Sequence, residues 1–122
     1  MSSCLAIVSD MVFASRITGT AAKLGTPCQV VGDLRSLESA LSESEPKTVL
    51  VDMNLEGLSA GEAIRTVKSL RPGARVIAFF SHVQTELMEQ ARSAGADDIW
   101  PRSLFVQNLQ QVLEEAGQPG PK

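Results

Sequence analysis

Two aspartates that follow apolar runs are the residues of this sequence best placed to do chemistry. Asp52 ends the run 48–51, and Asp10 follows the run 4–8 after one serine. Strands buried on both faces read as continuous apolar runs, and open α/β sheets bind ligands at the carboxyl ends of such strands. A carboxylate there is costly unless it meets a cation or hydrogen-bond donors. We therefore expect the functional site at Asp52.

Asp52 has an alternative role, because aspartate often caps the turn that follows a strand. The recurrence of the pattern at Asp10 favours a site instead. If both strands belong to one parallel sheet, the two carboxylates emerge at the same edge. Magnesium prefers a few carboxylate oxygens together with water, so the pair is a candidate site for a hard cation.

The size and charge of the chain exclude several functional classes. The 122 residues predict one domain over residues 1–117, followed by a disordered tail or linker stub over residues 118–122. The 14 acidic and 11 basic residues are spread along the chain without a basic cluster, which argues against nucleic-acid binding. No apolar run approaches the roughly 18 residues needed to span a bilayer, and no secretory signal is evident. We expect no membrane association and a cytoplasmic location.

The two cysteines carry no signal for chemistry. Cys4 and Cys28 lie in or beside apolar runs and lack the CxxC spacing of zinc or redox sites. In a reducing cytosol they are expected to be reduced core residues.

Hydrophobic periodicity predicts five strands that alternate with five helices. The predicted strands cover residues 5–9, 28–31, 49–52, 76–80 and 98–101. Predicted helix N-caps are Asp33, Ser59, Ser81 and Ser103, and Gly25, Gly95 and Gly117 are predicted to end helices. The order predicts an α/β fold, a doubly wound five-stranded parallel sheet with flavodoxin-like strand order 2-1-3-4-5 and a crevice beside strands one and three. A flavin or nucleotide enzyme on this scaffold is poorly supported, because the sequence lacks a glycine-rich phosphate loop.

The loop 52–58 and the segment Gly95-Ala96-Asp97-Asp98 resemble the receiver domain of bacterial two-component response regulators of the chemotaxis-regulator type. The resemblance covers nearly the whole chain. It implies that Asp52 accepts a phosphoryl group from a histidine kinase or phosphotransfer protein, and that a downstream protein partner reads the signal. It implies magnesium held by Asp52, Asp10 and the backbone carbonyl of Asn54. It implies no enzymatic activity beyond self-phosphorylation and dephosphorylation at Asp52.

Several positions depart from the pattern of that family. Ser9 stands in place of one first-strand acid, Arg102 in place of the usual lysine, Phe80 in place of a hydroxyl residue and Ile99 in place of the aromatic switch residue. Fewer carboxylates lower the affinity for magnesium, so we expect magnesium binding to be weak or lost. Arginine presents a broad planar fork in place of a compact ammonium group, so its exchange for lysine is not conservative. Phe80 cannot donate a hydrogen bond to a phosphoryl group.

Four side chains, two of them at these positions, have a structural and a functional interpretation. Arg102 is either an exposed charge at the end of a strand or the partner of Asp52 or Asp10 in a salt bridge. Phe80 is expected to fill the core and not to bind a ligand, and His82 to lie on the surface and not to act in catalysis or phosphotransfer. Trp100 is either an anchor for a protein partner or partly buried under the last helix.

Two functional hypotheses follow. The first is a phosphorelay receiver that is phosphorylated on Asp52. The second is a pseudo-receiver, which is not phosphorylated and signals through the face formed by helix four, strand five and helix five. The departures above favour the second, whereas Asp52 and Asp10 favour the first; Glu56 stands in the loop where the family usually has a proline. The resemblance also implies a homodimer through the last two helices.

Overall fold

The computed structural model describes residues 4–55, 57, 59–81 and 84–117. The strands are β1 (Cys4–Ile7), β2 (Cys28–Val31), β3 (Thr48–Asp52), β4 (Arg75–Phe80) and β5 (Asp98–Pro101). The helices are α1 (Met11–Leu24), α2 (Leu34–Glu43), α3 (Ala60–Leu70), α4 (Thr85–Ala94) and α5 (Arg102–Ala116). Strands and helices alternate as the sequence predicts. Glu56, His82 and the tail 118–122 lie outside the described residues.

The strands form one parallel sheet in the order β2-β1-β3-β4-β5, which confirms the predicted topology. β1 and β3 are neighbours, so their carboxyl ends open at the same edge. In the register of β3 and β4, Asp52 pairs with Phe79. The sheet therefore brings Asp52 and Asp10 to one edge, as predicted.

Helices cover both faces of the sheet. One core cluster lies between the sheet and α2, α3 and α4, and the other lies between the sheet and α1 and α5. Leu50 in β3 is fully buried in the second cluster, and its neighbours Val49 and Val51 are fully buried in the first. This burial on both faces explains why β3 reads as an apolar run without alternation.

The predicted caps are mostly confirmed. Asp33 accepts a hydrogen bond from the Ser36 amide at 2.7 Å, and Ser59 accepts one from the Glu62 amide at 3.3 Å. Gly25 and Gly95 end α1 and α4 with φ of 71° and 109°, values that glycine adopts without the steric cost of a Cβ.

Two predicted caps are wrong. α4 begins after Gln84, not after Ser81, whose hydroxyl instead donates a hydrogen bond to the Asn54 side chain. α5 begins at Arg102 after Pro101, so Ser103 lies inside the first turn. Pro101 has φ −65° and ψ 154°, an extended geometry that its ring favours and that leads from β5 directly into the helix.

The cysteines are free; Cys4 is buried, as predicted for a core residue, whereas Cys28 is only half-buried at the border of the core. Within the described part of the chain, no helix combines the length and the apolar character that a membrane crossing requires.

Candidate functional site

Asp52 is the last residue of β3, and only 2% of its surface is exposed. Its Oδ1 accepts a hydrogen bond from the backbone amide of Asn54 at 2.8 Å. The turn-capping role is thus present, and it accounts for one acceptor site of a buried carboxylate. Among the described residues, no basic side chain lies within 4.0 Å of the Asp52 carboxylate.

Burial raises the pKa of Asp52 above its ordinary value, because the charged form loses its hydration. The hydrogen bond from Asn54 and the positive charge of Arg102 act in the opposite direction, and the negative charge of Asp10 adds to the rise. The net shift is upward. The buried carboxylate is therefore held with incomplete charge compensation.

Asp10 is the N-cap of α1 and lies at the same edge of the sheet. Its Oδ1 accepts hydrogen bonds from the amides of Val12 at 2.9 Å and Phe13 at 3.2 Å. Its Oδ2 lies 4.0 Å from Nη2 of Arg102. One Asp10 oxygen is thus used to begin the helix, and the other faces the arginine.

Arg102 combines features of both sequence interpretations. Its side chain is 33% exposed, and its contact with Asp10 is at the outer limit of an ion pair. The guanidinium carbon lies 4.2 Å from the centroid of the Phe13 ring, well within the range of a cation–π contact. Its buried Nε has no hydrogen-bond partner among the described residues. The aromatic ring is therefore a second support for this cation beside the Asp10 carboxylate.

Phe13, Phe79 and Phe105 form an aromatic cluster beneath the arginine. The rings of Phe79 and Phe105 stack with centroids 4.2 Å apart, and Phe13 lies 5.2 Å and 5.7 Å from them. Sequence periodicity identified Phe13 and Phe105 as core residues but missed the contact with Arg102. An aromatic residue three positions after Asp10 was the available signal.

Asn54 connects the loop after β3 to the end of β4. Its Oδ1 accepts hydrogen bonds from the amide of Ser81 at 2.8 Å and from the Ser81 hydroxyl at 3.0 Å. The family resemblance expects a hydroxyl residue at position 80, whereas here the hydroxyl belongs to Ser81, one residue later. This hydroxyl is bound by the Asn54 side chain.

Phe80 belongs to the core cluster on the α2, α3 and α4 side, and the half-buried Ile99 packs against that cluster. Phe80 is 6% exposed, which confirms its interpretation as a core residue. Trp100 is half-buried against the α1 and α5 cluster, with the Arg75 guanidinium 6.0 Å from its ring, so the partial-burial interpretation describes it better than that of an exposed anchor.

We use the term Asp52 site for Asp52, Asp10, Asn54 and Arg102. Within the residues that the structure describes, no group of three or more His, Cys, Asp or Glu side chains is arranged to hold a metal ion. The site offers two carboxylates, which is within the range of one or two that magnesium uses when phosphate oxygens and water complete its shell. The donor set is sparse but compatible with magnesium.

Comparison with known sequences gives a partial match. No model of a known protein family matches the chain. The curated "Transcriptional activator protein ExaE" of Pseudomonas putida is 32% identical over 72 residues, which are 59% of this chain. The match spans only 34% of the length of that relative.

Comparison with solved structures gives matches over nearly the whole chain. The receiver domain of a sensor histidine kinase from Pseudomonas aeruginosa, solved with magnesium in its active site cleft, is 20% identical with a TM-score of 0.79, covering 97% of this chain and 100% of that one. A response regulator from Burkholderia pseudomallei, solved with a phosphorylated aspartic acid, calcium and citrate, is 20% identical with a TM-score of 0.76, covering 94% of this chain and 72% of that one. Together with the strand order and the helix positions, these matches show that the chain has the fold of response-regulator receiver domains.

Proposed function

We propose that this chain is a signalling receiver that takes a phosphoryl group onto Asp52 from a histidine kinase or a phosphotransfer protein. The observation that carries the proposal is the buried Asp52 carboxylate at the carboxyl end of β3, with Asp10 and Arg102 at the same edge. The phosphorylated aspartate of the Burkholderia pseudomallei regulator and the magnesium of the Pseudomonas aeruginosa domain are consistent with this chemistry on the same fold.

The transfer requires a nucleophile and a leaving group. An oxygen of Asp52 attacks the phosphorus of a phosphohistidine, and the new O–P bond forms as the P–N bond breaks. The departing imidazole nitrogen keeps the electron pair of the broken bond and takes a proton from solvent. The hydrogen bond from the Asn54 amide holds Asp52 Oδ1 at 2.8 Å and so fixes the orientation of the carboxylate.

The incoming group adds negative charge to a site that already holds two carboxylates. Arg102 is the cation whose charge acts on Asp52, and its planar donors suit phosphate oxygens. Asp10, Asp52 and the Asn54 carbonyl are the residues that would hold magnesium. When bound, magnesium would offset negative charge on the phosphoryl oxygens.

A partner that delivers the phosphoryl group must pack against the rim of the site. Met11 and Val12, at the start of α1 beside Asp10, are 78% and 82% exposed. Large apolar side chains with this exposure at the mouth of a polar site suit the apolar face of a docking helix. We assign the donor protein to this side of the molecule.

The mass of the intact protein tests the proposal. The chain is incubated with magnesium and acetyl phosphate, and we expect one added phosphoryl group. Asp52→Asn should abolish it, because the amide is a poor nucleophile. Asp33→Asn is the matched control: it removes a carboxylate from the start of α2 while an asparagine N-cap is retained, so labelling should persist.

Two results would contradict the proposal. One is the absence of an adduct under conditions that label an ordinary receiver domain in a parallel sample. The other is an adduct that survives in Asp52→Asn. The first would favour an interaction module that works without phosphorylation.

A further inference from the structure

The arginine of the Asp52 site rests on a side chain that the phosphoryl-transfer chemistry does not use. We propose that Phe13 is a positioning residue for Arg102: its ring fixes the guanidinium at the mouth of the site, where it receives the phosphoryl oxygens. This inference rests on the proposed function and adds to it the residue that positions Arg102 to bind phosphoryl oxygens at the Asp52 site.

The geometry that supports the inference is a three-residue arrangement. The Arg102 guanidinium carbon is 4.2 Å from the centroid of the Phe13 ring, and its Nη2 is 4.0 Å from Oδ2 of Asp10. Its Nε is buried with no hydrogen-bond acceptor in the described part of the chain. With one distant carboxylate and no acceptor for Nε, hydrogen bonds hold the guanidinium weakly. The ring face supplies the contact that they do not.

An arginine needs such a support more than a compact cation does. Its side chain carries several rotatable bonds, and its planar fork binds phosphate well only in one orientation. A guanidinium attracted to the face of an aromatic ring has fewer accessible positions than one that extends freely into water. The contact with the ring therefore restricts a long side chain beforehand and lowers the entropy lost when the phosphoryl oxygens bind.

Phe13 is itself held firmly. It is 5% exposed, and its ring packs against Phe79 and Phe105, which are fully buried. Its backbone amide donates to Asp10 at 3.2 Å, so the residue that supports the cation also helps to hold the neighbouring carboxylate. Because β4 and α5 supply the other two rings, the support belongs to the core and not to a loop.

A double-mutant cycle on the phosphorylation rate tests the inference. The variants are Phe13→Leu, Arg102→Met and the double variant, with the rate of adduct formation from acetyl phosphate measured by intact mass. We expect Phe13→Leu to slow phosphorylation about fivefold, the equilibrium equivalent of a cation–π contact at a partly buried site. In the Arg102→Met background the same substitution should change the rate less than about twofold.

Phe105→Leu is the matched control. It removes a ring from the same cluster and leaves Phe13 beneath the arginine. It should lower the free energy of unfolding while it leaves the phosphorylation rate close to that of the unmodified chain. Denaturant titration establishes that every variant is folded in the assay, and Phe13→Met provides a second variant without a ring if Phe13→Leu does not fold.

A spectroscopic measurement provides a readout that does not depend on phosphorylation. The proton on Nε of Arg102 should resonate upfield through the ring current of Phe13, and Phe13→Leu should remove that shift while Phe105→Leu retains it. An unmodified chain that takes no phosphoryl group overturns the proposed function, and this inference with it. An unmodified chain that is labelled at a rate that Phe13→Leu leaves unchanged overturns the role of Phe13 alone. Equal slowing in both arginine backgrounds also overturns it.

Discussion

Asp52 and Asp97 lie at opposite ends of the sheet and differ in how their charges are balanced. Asp97 precedes β5, and its Oδ2 accepts hydrogen bonds from Lys68 Nζ and from the Val76 amide, each at 2.8 Å. Asp52 ends β3 and accepts one from the Asn54 amide, while no basic side chain among the described residues comes within 4.0 Å of its carboxylate. The more exposed carboxylate is thus the better compensated one.

The pKa values of the two residues move in opposite directions. Burial favours a higher pKa for both, and at Asp52 it prevails. At Asp97 the opposing hydrogen bonds from Lys68 and Val76 outweigh it and lower the pKa. A carboxylate that stabilises a fold is surrounded by hydrogen-bond donors and cations, whereas carboxylates at reactive sites often have fewer such partners and a raised pKa. This contrast separates a structural acid, Asp97, from the proposed phospho-acceptor, Asp52.

The largest expected effect comes from removal of the structural acid. Asp97→Ala should lower the free energy of unfolding by about 1.5 kcal/mol, because the Val76 amide loses its side-chain acceptor and the Lys68 ammonium loses its carboxylate partner, while keeping its bond to the Ala74 carbonyl. The exposure of Asp97 keeps the loss below that of a fully buried pair. Urea titration at neutral pH measures it.

Glu89→Ala is the control for that prediction. Glu89 and Arg92 form an ion pair at 2.8 Å on α4 with both side chains more than half exposed, at 62% and 63%. Exposed pairs contribute little, so this variant should change stability by less than about 0.5 kcal/mol. Equal losses for the two variants would contradict the assignment of Asp97 as a structural acid.

Substitution of Asp52, the proposed phospho-acceptor, should change the free energy of unfolding in the opposite direction. Asp52→Asn should raise the free energy of unfolding by about 1 kcal/mol at pH 7, since a neutral amide is cheaper to bury than a carboxylate. The asparagine oxygen retains an acceptor for the Asn54 amide. Asp33→Asn, on an exposed helix cap, should leave stability nearly unchanged. Destabilisation by Asp52→Asn would show that the carboxylate is better compensated than the geometry indicates.

Of the two acids, the role of only one, Asp52, could be predicted from the sequence. The apolar run of β3 fixed the place of Asp52, because burial on both faces leaves a readable pattern. Gly95 predicted the end of α4 because φ of 109° favours glycine. The ion pair of Asp97 with Lys68 joins residues 29 positions apart, and no local pattern encodes it.

The missed features of the site have the same origin. The contact of Arg102 with Phe13 depends on how α1 and α5 pack, which periodicity does not specify. Ser81 carries a cap-like spacing, but the Asn54 side chain competes for its hydroxyl and the helix begins later. Side-chain contacts between segments that are far apart in the chain are not encoded in any local sequence pattern.

The stability effects of substituting Asp52 and Asp97 should depend differently on pH. The pKa of Asp52 is raised in the folded state, so the folded chain binds its proton first and the cost of the buried charge disappears as the pH falls. The stability gain of Asp52→Asn over the unmodified chain should therefore shrink between pH 7 and the unfolded value of 3.8. The loss caused by Asp97→Ala should persist over the same range, because a lowered pKa keeps that group charged until lower pH. Urea titrations at several pH values measure both differences, and parallel pH profiles would contradict the contrast.

Magnesium should have the smallest effect, and it acts at only one of the two acids. At a concentration equal to its dissociation constant, a ligand that binds only the folded state adds about 0.4 kcal/mol to the free energy of unfolding. Two carboxylates and a nearby arginine predict a weak site, so this gain should require millimolar magnesium. Thermal unfolding with and without magnesium measures the gain, with sodium chloride of equal ionic strength as the control. The stability gain from magnesium should vanish in Asp52→Asn and remain in Asp97→Ala. If the gain survives in Asp52→Asn, magnesium binds elsewhere, and among the described residues of the Asp52 site Arg102 alone carries a positive charge.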